Sequence, residues 1–455
     1  MKETVYKQYL LTVLSVILAF NYVDRLALGI VLQDIKVDLD LSDTQLGFLT
    51  GVAFALFYSV MGIPLARWAD RGNRVTIIGI TTAVWSAAVA LCGLAQTFLQ
   101  LLLIRIGVAV GEAGCIPTAH SLIADNFPRA ERPRAVAWYM LGGPSSFVLG
   151  YFLAGWLNEF YGWRATFVLL GLPGLGLATL AWFTLREPRR GRPAREAASR
   201  FAVPSLSEPE TLSSAQPSLK EVSLILRATT TFRHLLFSLS VMFFFSYGIG
   251  QWTPAFFIRS HGLETGALGT WFTMIYGVGG IVGTYWGGEL ASRHAAHNER
   301  LQLKAVAIVY ASFGVISPFI YLLPNHYLAF GVMTVVTVGG TMANGPLFAT
   351  IQTLVPPRMR AMSIAIIYLF ANLIGMGLGP LAAGALSDAV RPWAGEDSLR
   401  YALLALCPGY VWGGWHLWRG SRTVTRDLQV AQVDQDRAAG EEKVQVNASA
   451  KMASP

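Results

Sequence analysis

A short polar stretch, Asn21-Tyr22-Val23-Asp24-Arg25, interrupts an apolar run that extends from about Tyr9 to Leu32. That run has about the ~20 residues that a helix needs to cross a bilayer. A charged side chain at the middle of such a helix costs roughly 2.5–3.5 kcal/mol on insertion scales, so an acid and a base there are expected to pair or to serve a function. Asp24 and Arg25 could instead lie at the membrane edge and reach water. Because charges recur inside a later apolar run, we expect the first helix to line a polar cavity within the membrane.

A second set of titratable residues lies inside the fourth apolar run. Arg105 and Glu112 are seven residues apart, so a helix places them on one face, about two turns apart. A buried carboxyl group must pair with a cation or bind a proton, because burial disfavours its charged form. Glu112 is therefore a candidate proton site of a proton-coupled carrier, or the acid of a structural ion pair with an arginine. His120 is either a hydrogen-bonding residue of the helix or a proton relay.

The second half of the chain carries almost no charge within its apolar runs. The polar and aromatic residues that remain there are Tyr247, Gln251, Trp252, Asn344, Tyr368 and Asn372. One half would thus offer a charged wall to a central cavity and the other half an amphipathic wall. Such a cavity suits a substrate with an ionised head and an apolar body, although aromatic residues of membrane helices more often face lipid or the protein core.

The composition indicates a membrane protein. Of the 455 residues only 14% are charged and 53% are hydrophobic, whereas a soluble globular chain carries about 25% charged residues. The net charge of +8 comes from basic residues clustered in loops, which is a topology signal and not a nucleic-acid-binding surface. The three cysteines, Cys92, Cys115 and Cys407, match no metal site and no disulfide framework. We therefore expect no metal, no cofactor and no nucleic-acid partner.

The sequence lacks the signatures of two other classes of membrane protein, intramembrane enzymes and ATP-driven pumps. There is no His-Glu-x-x-His motif of a membrane metalloprotease, and no convincing Ser/His pair for nucleophilic catalysis. The Gly-x-x-x-x-Gly-Lys-Ser/Thr loop of an ATP-driven pump is also absent. The sequence thus favours a carrier and does not indicate an enzyme.

Twelve apolar runs of spanning length predict an all-α membrane protein. They cover residues 9–32, 45–66, 75–95, 98–124, 135–157, 163–184, 233–258, 267–290, 303–323, 327–354, 361–386 and 398–418. One offset relates the two halves, because Pro346 lies 229 positions after Pro117 and Gly379 lies 229 positions after Gly150. Two such bundles with a binding site between them are a known transporter plan. We predict bundles at 1–185 and 232–420, a cytoplasmic linker at 186–231 and a disordered cytoplasmic tail at 421–455.

The charges between the runs predict the orientation. Basic residues follow the second, fourth, eighth and tenth runs, whereas the first loop is acidic, with Asp34, Asp38, Asp40 and Asp43. By the positive-inside rule both termini are cytoplasmic, which places the protein in the cell (inner) membrane as a multi-pass protein.

Charged residues at the cytoplasmic helix ends could also form a gate. Charge pairing and helix capping at such ends can lock neighbouring helices together. The predicted gate residues are Asp70, Arg71, Arg74, Arg134 and Arg293. The alternative is that these residues act only as topology signals.

Five motifs resemble those of the major facilitator superfamily, and in particular its Spinster-like branch. They are Asn21-Tyr22-Val23-Asp24-Arg25, Ser42-Asp43-Thr44-Gln45-Leu46-Gly47, Asp70-Arg71-Gly72-Asn73-Arg74, Gly111-Glu112-Ala113 and Ile123-Ala124-Asp125. The resemblance implies twelve helices in two pseudo-symmetric six-helix bundles, with a central polar network of Asp24, Arg25, Arg105 and Glu112. Spinster-like proteins move lysophospholipids or sphingoid phosphates, some of them with proton coupling. The organic anion:cation symporter family shares the first and fourth motifs, so small organic anions such as sugar acids are the alternative substrate class.

The residues and the resemblance together predict a monomeric, proton-coupled secondary transporter of an amphiphilic anion. Arg25 and Arg105 would attract the anionic head, while Asp24 and Glu112 exchange the proton. The remaining predicted site residues are Asn21, Tyr22, His120, Tyr247, Gln251, Asn344, Tyr368 and Asn372. The two halves would rock around this network to give alternating access.

Overall fold

The computed structural model describes residues 3–128, 130–188, 226–295, 298–355 and 359–452. Its regular structure in these ranges is helical, with no strand. Ten segments are long and apolar enough to cross a membrane, and two of them, Arg134–Thr184 and Met362–Val430, have 51 and 69 residues. Each of these two exceeds twice the ~20 residues of one crossing, and they turn at Gly162 and Gly395, where φ is 76° and 56°. The described chain therefore crosses twelve times, which confirms the predicted all-α membrane fold.

The twelve crossings are numbered α1 to α12 in chain order. Their bounds are α1 Glu3–Leu39, α2 Asp43–Arg71, α3 Arg74–Cys92, α4 Phe98–Asn126, α5 132–161, α6 163–184, α7 Thr230–His261, α8 Thr265–Ala295, α9 Glu299–Leu322, α10 His326–Thr353, α11 360–394 and α12 398–430. Short wide-turn (π-helical) stretches occur within α8 at Thr273–Val278 and within α11 at Ala371–Leu378.

Local sequence determines where several helices begin. Ser42 starts α2 with a capping box: its hydroxyl accepts from the Gln45 N–H at 3.1 Å, and the Gln45 side chain accepts from the Ser42 N–H at 2.9 Å. Asn73 and Thr97 each accept a backbone N–H three residues further on, which caps α3 and α4. These caps satisfy N–H groups that the first turn of a helix leaves without a partner.

Glycines at equal offsets make equivalent contacts in the two halves. Gly155 of α5 packs on the backbone of α8, and Gly384 of α11 packs on the backbone of α2, so closely that a Cβ would collide with a carbonyl oxygen. Gly379 packs as closely on the backbone of α7, whereas Gly150 packs on α1 mainly against the side chain of Leu26. Helices approach this closely only where small residues lie between them. The contacts support the duplication inferred from the 229-residue offset.

The two halves are joined at the end opposite the linker, which we call the outer end. There α2 packs against α11, α5 against α8 and α1 against α7. Hydrogen bonds cross the interface between the halves at this end, such as the one from the Gly266 N–H to Glu159 at 2.7 Å. The other end, which we call the linker end, carries exposed Arg71 and Arg134. The structure is thus closed at its outer end.

Two predicted boundaries differ from the structure. The first residues of the predicted linker belong to the N-terminal bundle, because the Arg186 N–H donates to the Tyr6 hydroxyl at 2.7 Å. Most of that linker, residues 189–225, lies outside the described residues. The tail predicted as disordered instead continues the last helix to Met452. Its beginning is fixed to α7, where the Thr231 N–H donates to Asp427 at 2.8 Å.

Candidate functional site: a charged network behind a central cavity

The charged residues of α1 and α4 form two ion pairs between these helices. Arg25 donates from Nε to Glu112 Oε2 at 2.8 Å and also from Nη2 to the same oxygen. Arg105 donates from Nη1 to Asp24 Oδ2 at 2.7 Å. The adjacent acid and base of α1 therefore each pair with a residue of α4. Two acids and two bases balance, and such pairing is what makes buried charges tolerable.

Aromatic rings enclose the guanidinium of Arg25. Its Cζ lies 4.4 Å from the ring centre of Phe54, 4.8 Å from that of Tyr58 and 4.9 Å from that of Tyr22. The faces of such rings attract a cation. The Arg25 side chain keeps 18% of its surface exposed, whereas that of Glu112 is fully buried. Arg25 is therefore the member of the network that meets the space between the halves.

Several polar atoms of this network have no hydrogen-bond partner among the described residues. They include Asp24 Oδ1, Glu112 Oε1, Arg105 Nε and both amide atoms of Asn21, all of them buried. The carboxyl groups of Asp24 and Glu112 are neighbours. Two adjacent acids, each with an oxygen that is not engaged by an arginine, can hold a proton between them. The arrangement is thus chemically suited to binding a proton inside the bundle.

A cavity of about 600 Å³ lies between the halves, within the size range of ligand pockets. Arg25 is the only charged side chain among the described residues that line it. Tyr22, Tyr247, Gln251 and Asn344 also line it. The amide of Gln251 lies beside Gly29 of α1, and its Nε2 has no partner in the described structure.

The cavity extends deep into the C-terminal bundle. Residues of α7, α9, α10 and α12 line this extension, which we call the C-terminal chamber: Thr253, Tyr310, Phe313, Ser317, Ile320, Tyr321, Met333, Val336, Thr337 and Tyr410. Its walls are apolar and aromatic with a few hydroxyl groups. These residues could not be identified from the sequence, because nothing in an apolar run distinguishes a residue that lines a void from one that fills a core.

Four other residues singled out from the sequence lie away from the cavity lining. His120 packs edge-on against Tyr139, with ring centres 5.4 Å apart. Tyr368 stacks on Phe348 at 5.5 Å, and Asn372 is half-buried on α11. Trp252 is buried and donates to the carbonyl of Pro380 at 2.9 Å.

Arg74, predicted as a gate residue, is buried within the N-terminal bundle. Its Nη1 donates to Asp125 at 2.6 Å and to the Ser121 carbonyl at 2.9 Å, and its backbone N–H donates to Glu187 at 2.6 Å. These contacts hold the start of α3 to the ends of α4 and α6. In this state Arg74 joins helices of one half and does not bridge the two halves.

The other predicted gate residues lie on exposed surfaces at the linker end. Asp70, Arg71 and Arg134 are exposed, and Arg293 pairs with Glu289 of its own helix at 2.5 Å. The structure does not bring Arg293 to the loop that follows α2. A gate of these residues would have to form in a state that is closed at the linker end.

A second charged network, at the outer end, was missed from the sequence. Asp43 accepts two hydrogen bonds from Arg259, at 2.8 and 2.9 Å, and one from Lys36 at 2.5 Å. Ser387 donates to the same carboxylate at 2.7 Å. Asp43 and Lys36 belong to the N-terminal half, and Arg259 and Ser387 to the C-terminal half. We call these four residues the outer network. In the sequence Asp43 is one of four acids of the first loop and part of the Ser42–Gly47 motif, but nothing there shows that it pairs with the other half of the chain.

Comparisons with known proteins agree with this architecture. The model of the Major Facilitator Superfamily matches residues 14–391. An MFS-type efflux pump of Mycolicibacterium smegmatis is 31% identical, over 91% of this chain and 93% of its own. Protein spinster homolog 1 of Xenopus tropicalis is 29% identical, over 87% of this chain and 77% of its own. The crystal structure of a bacterial homolog to the human lysosomal transporter Spinster, in an inward-facing and unoccupied conformation, superposes with a TM-score of 0.79 at 28% identity, over 93% of this chain and 98% of that one.

Proposed function

The chain belongs to the Major Facilitator Superfamily, in its Spinster-like branch, and we propose that this transporter moves an amphiphilic anion across the cell membrane by proton-coupled alternating access. A lysophospholipid or a sphingoid-phosphate-like lipid has the required chemistry. The protein is a transporter and not an enzyme. One chain contains the whole cavity, so a monomer suffices. The linker and both termini lie in the cytoplasm in this proposal.

The observation that carries the proposal is the polarity of the cavity. Arg25 is the one cation among the described residues that line this space, and the far wall of the space is the apolar and aromatic C-terminal chamber. An anionic head would bind Arg25, since a hydrogen bond to a charged group contributes more than one between neutral groups. An alkyl chain in the chamber would gain about 0.8 kcal/mol for each buried methylene group. A small, fully polar anion would leave the chamber empty.

Coupling follows from the charge balance of the network. Arg25 pairs with Glu112, and Arg105 pairs with Asp24 through Nη1 and Oδ2, which are 2.7 Å apart. An anionic head that engages Arg25 would leave Glu112 buried without its cation, and burial then favours the protonated acid. Proton binding and substrate binding would therefore favour each other, and this reciprocity is what coupling requires.

Alternating access would proceed by rocking of the two halves about this network. The outer network closes the outer end in the described state, so the cavity serves the linker end. In the opposite state the outer network separates and the linker end closes. The residues that would form the gate at the linker end are Asp70, Arg71, Arg74, Arg134 and Arg293. Each state is then stabilised by contacts that the other lacks.

The proposal is tested by transport assays with purified protein in liposomes. Lysophospholipids, a sphingoid phosphate and two sugar acids would each be assayed for uptake and efflux, with and without a pH gradient. We expect pH-dependent flux of an amphiphilic anion. Flux of the sugar acids alone would establish the alternative, a carrier of small organic anions that uses the amide and hydroxyl groups of the lining. Absence of flux for the whole panel would contradict both.

Arg25→Ala is expected to weaken substrate binding by at least about tenfold, because one charge-assisted hydrogen bond contributes roughly 1.5–3 kcal/mol. Binding would be measured by isothermal titration of the detergent-solubilised protein. Arg233→Ala removes an exposed arginine at the linker end of α7 and should leave the affinity unchanged. Unaltered affinity of Arg25→Ala would remove Arg25 from the substrate site.

Asp70→Asn is expected to shift the protein away from its outward-open state, since the lost charge would weaken pairing at the linker end. The readout is the labelling rate, from the linker side, of a cysteine placed in the cavity, and this rate should rise. Asp40→Asn makes the same isosteric change in an exposed outer-end loop and should not raise it. An unchanged rate for Asp70→Asn would leave the loop as a topology signal only.

A further inference from the structure

A second cavity, of about 380 Å³, lies at the linker end of the C-terminal half, between α8, α9 and α10. It shares no lining residue with the central cavity. Gly340 and Thr341 of α10 line the central cavity, whereas Gly339 and Met342 line the second one. The two spaces therefore lie on different faces of one helix. We call the second cavity the α8–α10 groove.

The dimensions of the groove match one acyl chain. Along α9 its lining runs from Leu301 to Val309, which is about 12 Å at a rise of 1.5 Å per residue. One leaflet of hydrocarbon is about half of the ~30 Å core of a bilayer. Leu290 and Leu301, which line the groove, are 41% and 44% exposed, so it opens at the surface of the protein. Apart from His294 and Gln302 the lining is apolar or glycine.

A buried polar atom points to a ligand at the linker end of this groove. Gln302 is only 8% exposed, and its Nε2 donates to the Ala295 carbonyl at 2.7 Å. Its Oε1 is buried and has no partner among the described residues. A buried acceptor without a partner is unfavourable, so a hydroxyl donor on a bound molecule would stabilise it.

Basic residues flank the same end of the groove. Arg300 immediately precedes Leu301, and Arg293 immediately precedes His294, and both arginines are exposed. Arg293 is engaged by Glu289 at 2.5 Å, so Arg300 is the cation better placed to meet a phosphate. Basic pockets between membrane helices on the cytoplasmic side are suited to anionic lipid head groups.

We propose that the α8–α10 groove binds a phospholipid of the cytoplasmic leaflet whose head is anionic and carries hydroxyl groups, as in phosphatidylglycerol. One acyl chain would lie along α9, a head-group hydroxyl would donate to Gln302 Oε1, and the phosphate would meet Arg300. The lipid would pack behind Ala343, where α10 is interrupted. It would thereby support the face of α10 that lines the substrate cavity. The proposal takes the linker end as cytoplasmic, but it does not depend on which substrate is transported.

Ala305→Trp and Ile308→Trp form a matched pair for testing it. Both residues are exposed on α9, and only Ala305 lines the groove, so the first substitution fills the groove and the second adds the same indole to the lipid-facing surface. Phosphatidylglycerol retained by the purified protein would be counted by native mass spectrometry, together with the rise in unfolding temperature on adding the lipid. We expect Ala305→Trp to retain at least about tenfold less lipid than Ile308→Trp, because the chain loses its apolar contacts.

The head group is tested with Gln302→Leu, which keeps the size of the side chain. This variant should still retain phosphatidylglycerol. The parent should prefer phosphatidylglycerol to phosphatidic acid, which lacks the glycerol hydroxyls of the head group, and the variant should lose that preference. Equal retention by Ala305→Trp and Ile308→Trp would overturn the groove assignment. Equal retention of phosphatidylcholine and phosphatidylglycerol by the parent would overturn the anionic head group. Should Ala305→Trp fail to fold, an unchanged lipid preference in Gln302→Leu still overturns the proposal.

Discussion

Glu112→Gln is expected to abolish substrate accumulation driven by a pH gradient while sparing substrate binding and exchange. Glutamine resembles the protonated acid and keeps an oxygen that can accept from Arg25, which donates to this side chain at 2.8 Å. It cannot release or take up a proton, so the dependence of substrate binding on proton binding is lost. The effect should be complete for driven flux, because coupling requires that one group change its charge during each cycle.

The measurement compares accumulation and counterflow in the same liposomes. Glu112→Gln should show counterflow of preloaded substrate without net accumulation. Glu299→Gln, at the start of α9 and remote from the network, should behave as the parent in both assays. If Glu112→Gln still concentrates substrate along the proton gradient, Glu112 is structural. Asp24, whose carboxyl group adjoins it, is then the next candidate for the proton site.

Asp43→Asn is expected to open the outer end. The substitution removes the carboxylate charge that binds Arg259 and Lys36, and it leaves these two cations in a largely buried site. Breaking a buried ion pair by removing one partner costs about 3–5 kcal/mol. Since 1.4 kcal/mol corresponds to a tenfold change in an equilibrium constant, the ratio of outer-closed to outer-open protein should fall by at least about a hundredfold. Asp43→Glu keeps the charge and should restore much of the closed population.

Spin labels at positions 38 and 264 report this change, since Asp38 and Glu264 are exposed at the outer end on opposite halves. Their distance distribution should shift to longer values in Asp43→Asn. Asp397→Asn, which alters a half-exposed outer-end acid paired with Arg400 at 3.1 Å, should leave the distribution unchanged. A parent-like distribution in Asp43→Asn would mean that backbone packing of α2 on α11 and of α5 on α8 closes the outer end without the ion pairs.

The sequence by itself determined the class of the protein and its twelve crossings, and it predicted that Asp24, Arg25, Arg105 and Glu112 form a central polar network. Apolar runs of spanning length and the scarcity of charge can be read locally, and charges within such runs are costly enough to identify a site. The constant offset of 229 residues between the halves also indicated a duplication, because glycines that allow close helix packing recur at this spacing, as Gly155 and Gly384 do.

Only the tertiary structure decided how those charges pair. Helical spacing places Arg105 and Glu112 on one face of α4, yet each is paired with a residue of α1. Spacing along one helix fixes the direction of a side chain, whereas the partner depends on the depth and rotation at which a second helix packs. The outer network is the same case at the interface between the halves, because Asp43 and Arg259 lie 216 positions apart in the sequence and on different halves. The C-terminal chamber is hollow for a related reason: whether an apolar residue fills a core or lines a void depends on all the helices around it.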